Sequence, residues 1–151
     1  MSWNDIFWFF FSVCPPEPIS LSGNGKLSSP NYPLSRYPAD RNCSWVITVS
    51  PEKRVKVKFL ALALGSVTYV DLYDGPSATS SLLERFDKDS TLGTVVSSGN
   101  QLFVDFRSGS SPDWGFKAQY EPLSMEPPQC NQTTGGKAFI KETDCGTWLT
   151  D

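Results

Sequence analysis

"YVDLYDG", residues 69–75, alternates apolar Val70 and Leu72 with Tyr69, Asp71 and Tyr73, then closes on Asp74-Gly75. A period of two marks a strand with one face in a core, and Asp-Gly marks a turn. The same period recurs on both sides of it. "SWVITVS" (44–50) places Trp45, Ile47 and Val49 on one face, with Trp45 expected in the core. "RVKVKF" (54–59) sets Val55, Val57 and Phe59 against Arg54, Lys56 and Lys58. "QLFVDF" (101–106) sets Leu102, Val104 and Phe106 against Asp105, and "GFKAQY" (115–120) sets Phe116, Ala118 and Tyr120 against Lys117 and Gln119. "TLGTVVSSGN" (91–100) is less regular. No stretch carries a convincing 3.6 period. Many short strands with turn residues between them predict an all-β antiparallel sandwich or barrel.

One segment breaks the alternation. In "FLALAL" (59–64) the apolar positions pass from Phe59 to Leu62 and Leu64. Either a bulge near 60–61 inserts one residue and flips the parity, or the strand is buried on both faces. Upstream, "CPPEPISLSGNGKLSSPNYPLSRYPADRNC" (14–43) is punctuated by proline, glycine and serine. Pro30, Pro33 and Pro38 forbid helix there, and Tyr32 and Tyr37 are expected to pack beneath the proline turns.

Composition excludes more than it selects. The 151 residues are 39% apolar and 13% aromatic, enough for one domain with tails. Histidine is absent, which removes Ser-His-Asp and Cys-His nucleophilic sites and HExxH zinc sites. No feature pairs two of the carboxylates for acid/base work, so no enzyme is expected. The formal net charge is −3 and no long block of one sign occurs, so no nucleic-acid partner is expected either. The four cysteines, Cys14, Cys43, Cys130 and Cys145, form no CxxC pair; their wide spacing suits disulfides in an oxidising compartment. Asn42-Cys43-Ser44 and Asn131-Gln132-Thr133 are N-glycosylation triplets that agree with secretion.

The ends stand apart from this pattern. Residues 1–13 hold the apolar run "IFWFFFSV", too short to span a bilayer; it reads as an atypical signal segment, a sticky chain end or an extra edge strand. Residues 122–129 are proline-rich and read as a linker, and 130–151 as a tail or the start of a second extracellular module. Cys130 and Cys145 most simply pair with each other. No membrane span is expected in the chain.

Taken together, "GKLSSPNYPLSRYPADRNCSWVI" (25–47), "VKVKF" (55–59), "YVDLYDGP" (69–76), "SSGNQLFVDFRS" (97–108) and "GFKAQY" (115–120) resemble a CUB domain, in the family's order, over about residues 14–121. The resemblance implies a jelly-roll-like β-sandwich of two antiparallel sheets that binds proteins or glycans in the extracellular space. It also implies a Cys14–Cys43 disulfide, which would stabilise the fold by roughly 3–4 kcal/mol. The family's second cysteine pair is missing: its halves would lie just before Val67, beside Gly65 and Ser66, and at Asp87.

Many CUB domains bind calcium through three carboxylates, and the matching positions here are Gly65, Thr68 and Gly109. Calcium needs several oxygen ligands, carboxylates foremost. The expectation is therefore no cofactor, with Asp105 and Asp113 the residues for a rearranged site if one exists. Asp71 is read as a residue of the strand's polar face and Asp74 as a local turn former. The loop "RSGSSPDWG" (107–115) offers Arg107, Asp113 and Trp114 for contact with a partner, unless Trp114 folds back as core cover. Lys53, Arg54, Lys56 and Lys58 read as a solvated face or a lysine-protected edge, or as a surface for an acidic glycan or protein. The functional expectation is a calcium-independent extracellular protein-interaction module within a larger secreted or receptor protein. A carbohydrate-binding module and a non-catalytic domain of an extracellular protease are the alternatives.

Overall fold

A computed structural model describes residues 14–124, and all regular structure in them is strand. The order is β1 (Ile19–Ser22), β2 (Gly25–Ser28), β3 (Asn42–Thr48), β4 (Lys53–Ala63), β5 (Tyr69–Asp74), β6 (Ser81–Phe86), β7 (Thr94–Val96), β8 (Gln101–Arg107) and β9 (Gly115–Ser124). They form a five-stranded sheet, β1-β3-β8-β5-β6, and a four-stranded sheet, β2-β9-β4-β7. The all-β sandwich follows the expectation. Every pairing is antiparallel except one at the rim, where β1 runs parallel to β3.

The core lies where the alternation places it. Trp45, Ile47, Val70, Leu72, Leu102, Val104 and Phe106 from one sheet meet Val55, Val57, Phe59, Phe116, Ala118 and Tyr120 from the other. Phe116 is its aromatic hub, with ring centroids 5.9 Å from Trp45, 5.7 Å from Phe59 and 5.6 Å from Phe106. Cys14 and Cys43 are disulfide-bonded, which ties the chain ahead of β1 to the start of β3.

The parity switch in β4 is a bulge. The register with β9 shifts between Phe59 and Ala61, leaving Leu60 outside and returning Leu62 to the core side. β1, β2 and β6 escape the period-two reading. The first two are four-residue strands between turn signals, and β6 has exposed Leu82 beside half-buried Leu83. A register shift in β6 opposite Leu72 and Tyr73 disrupts its alternation. β9 runs to Ser124, three residues into the segment read as a linker. Pro122 is tolerated there because the β2 ladder ends at Tyr120, so β9 is an edge on that side beyond it.

Candidate interaction surface

Three loops meet at one end of the sandwich: 29–41 after β2, 64–68 after β4 and 108–114 after β8. Tyr37 holds them together. It is 1% exposed, and its ring stands edge-on to Phe106 at 5.3 Å. Its hydroxyl accepts from Gly65 N at 2.8 Å and donates to Thr68 Oγ1 at 3.2 Å, with the Ser111 carbonyl a further acceptor at 3.3 Å. Thr68 Oγ1 in turn accepts from Gly109 N at 2.9 Å. Backbone bonds close the cluster: Tyr37 N donates to Asp113 O and Asp40 N to Gly109 O, each at 3.0 Å. Buried Ser108 adds a clasp, its Oγ donating to Pro38 O at 2.8 Å and accepting from Arg41 N at 2.7 Å.

Gly65, Thr68 and Gly109 are thus brought together, as the resemblance implies, with hydrogen bonds among uncharged groups where carboxylates would stand. The two glycines are also sites of close approach. A Cβ on Gly109 would lie 2.6 Å from Val67 O, and one on Gly65 would collide with the Ser111 carbonyl. Acidic side chains therefore fit neither position unless the loops move apart. Among the described residues no group of three or more Asp, Glu, His or Cys side chains is arranged to hold a metal. Asp105 and Asp113 are each engaged elsewhere.

Asp113 Oδ1 accepts from Trp114 N at 2.8 Å. At 45% exposed, the Trp114 indole does not cover the core. Arg36 stands 5.6 Å from the ring centroid, within cation–π range. Trp114 also lines an open apolar groove with Tyr32, Pro33, Leu62 and Ala63. Tyr32 is half-buried there, beside Pro33.

Arg107 belongs to a different neighbourhood. Its Nε donates to Asp105 at 3.0 Å, and its backbone faces Asn42 and Tyr69 across the five-stranded sheet. Asn42 is exposed at the start of β3. Cys130, Asn131 and Cys145 lie outside the described residues.

The outer face of that sheet settles what Asp71 does. It is not a solvated polar residue: it is 2% exposed and takes a bidentate clamp from Arg85, at 2.7 and 2.8 Å. Arg85 also stacks over Tyr69 at 4.0 Å, and Tyr73 Oη reaches Asp71 at 3.3 Å. Long side chains on β5, β6 and β8 thus roof the carboxylates, which is why β8 is buried on both faces. The hydrogen bond to Asp71 pushes the Arg85 pKa upward, and that to Asp105 does the same for Arg107. Burial, then the Asp71 charge, raises Tyr73 above the usual phenol value. Asp74 bonds to the β7–β8 turn rather than locally, accepting from Ser98 N at 2.8 Å and Ser98 Oγ at 2.7 Å. Both aspartates are architecture. The hub role of Tyr37 was legible only as a tyrosine before proline; its partners lie 28 to 74 residues away.

The family pattern described as "CUB domain" matches residues 17–120, and the chain belongs to the CUB family. It is 41% identical over 100 residues to human Cubilin, covering 64% of this chain and 3% of that one. It is 32% identical over 130 residues to zebrafish (Danio rerio) Neuropilin-1a, covering 82% and 14%. The CUB1-EGF-CUB2 structure of rat MASP-1 superposes with a TM-score of 0.63 at 28% identity, over 73% of this chain and 44% of that one. The chain thus spans a small part of the curated relatives it matches. Membership makes it an extracellular interaction module. Among the described residues no helix is long and apolar enough to cross a membrane.

Proposed function

We propose that this chain is a non-catalytic, calcium-independent CUB module that binds an extracellular protein through the loop end around Trp114. It would serve within a larger secreted or receptor protein. The carrying observation is the Tyr37–Thr68 knot: the loops that a cation could organise are tied to one another by hydrogen bonds among uncharged groups. That leaves a preorganised surface with a half-exposed tryptophan and a neighbouring arginine, residue types enriched at binding hot spots. Preorganisation matters because ordering a loop on binding subtracts from affinity. Asp113 caps the Trp114 backbone N–H, and Arg107 lies on the sheet face beyond it.

The test is capture of extracellular proteins by the immobilised chain, with EDTA in one arm and calcium restored in a parallel arm. The reading expects a saturable partner that Trp114→Ala weakens at least about tenfold, the scale of a hot-spot truncation. A partner bound only when calcium is restored, or bound equally by Trp114→Ala, would refute it.

A further inference from the structure

We propose that the outer face of the four-stranded sheet binds a linear sulfated polysaccharide. This goes beyond the protein-binding reading and uses a neighbouring surface, farther along the same strands from Trp114. The register assembles the face from three strands. β4 presents Arg54, Lys56 and Lys58; β9 presents Lys117, Gln119 and Glu121; β2 presents Lys26. Lys26 and Lys58 flank Gln119 from opposite sides, so their backbones lie two strand spacings, about 10 Å, apart. Cations alternate along β4 at about 7 Å. The result is a two-dimensional grid of five cationic side chains against one carboxylate, in a chain whose formal charge is −3.

Glu121 neutralises little of it, reaching Lys56 only at 3.8 Å. Lys26, Arg54, Lys58 and Lys117 have no carboxylate partner among the described residues. Arg54 Nε is buried and finds no acceptor among them either. Edge protection does not explain these charges, because β4 is an interior strand flanked by β9 and β7.

The face also discriminates among polyanions. Protein interfaces favour aromatic residues and deplete lysine, whereas the grid positions on β2, β4 and β9 are lysine-rich and include no aromatic residue; Tyr32 and Trp114 border only the end of the sheet beside Ala61, Ala63 and Gly115. Within the grid itself, single-stranded nucleic acid would lack a ring on which to stack its bases. A sulfated sugar chain needs only spaced cations and donors such as Gln119 and Thr94, which the grid supplies.

The experiment is binding of the full chain to immobilised heparin as salt is raised. The wild type should bind despite its net negative charge. Lys58→Glu with Lys117→Glu should weaken binding at least about tenfold, while Lys88→Glu, a charge reversal in the β6–β7 turn, and Trp114→Ala should not change it. Circular dichroism checks the double variant's fold; if it is lost, Lys26→Gln with Lys58→Gln replaces it. That neutral pair should lower the log–log salt slope by roughly 0.7 per lysine, as for single-stranded polyanions. No binding by the wild type, equal binding by a folded lysine variant, or equally tight binding to poly-glutamate or single-stranded DNA would overturn the proposal. Trp114 borders the sheet beside Ala61 and Gly115, whereas Lys26, Arg54, Lys56 and Lys58 lie farther along the strands, so Trp114→Ala and the lysine variants test the two readings separately.

Discussion

Asp71 and Asp105 stand directly opposite each other on β5 and β8, and each is held by its own arginine, Arg85 and Arg107. Like charges opposed across a ladder destabilise it unless they are neutralised. Arg85→Ala should therefore expose two faults at once: a buried carboxylate without its clamp, and repulsion from Asp105. The expected cost is about 2–3 kcal/mol by urea denaturation, allowing for the solvent that reaches Arg85. Adding Asp71→Asn should restore part of that loss; no recovery would mean that Arg85 acts through packing on Tyr69 alone.

Tyr73 gives the same cluster a pH signature. Its phenol titrates higher in the folded chain than in the unfolded one, through burial and then Asp71. Between those two values the unfolded state releases its proton first. This contribution is therefore fully present below about pH 10 and is lost as pH rises through the folded value. Tyr73→Phe should flatten the alkaline fall in stability and leave neutral pH nearly unchanged. An identical alkaline limb in the variant would contradict the assignment.

Tyr37→Phe should loosen the loop knot while sparing the sandwich. The ring can keep its contact with Phe106, but Gly65 N loses its acceptor and Thr68 a partner. A buried unsatisfied group costs about 1–3 kcal/mol. Amide exchange should speed up at Gly65 and Gly109, with core amides such as Val57 and Val104 changing only by the global loss. Uniform acceleration would show that the knot is no separate unit.

The core was legible in the sequence because Val55, Val57, Phe59, Leu102, Val104, Phe106, Phe116 and Ala118 obey a strict period of two. The break in that period after Phe59 was legible too, but it fitted a bulge and a doubly buried strand alike until the β4–β9 register decided for the bulge. Burial of Asp71 and Asp105 was not legible. Alternation says which face a residue occupies, not whether Arg85 or Tyr73 will roof it. The partnerships Tyr37–Thr68 and Asp74–Ser98 were hidden for another reason. They depend on how loops far apart in the chain converge, and no local pattern encodes that. The lysines on β4 were placed on the correct face, but only the pairing with β9 and β2 shows them joined by Lys117 and Lys26.

The proposed calcium independence is tested most directly at Gly65, Thr68 and Gly109. Their amide resonances in the full chain should be followed by nuclear magnetic resonance as calcium is raised from EDTA-stripped conditions to millimolar concentration. The hydrogen-bonded knot leaves all three unmoved. A saturable shift shared by the three would mean that a cation organises these loops after all.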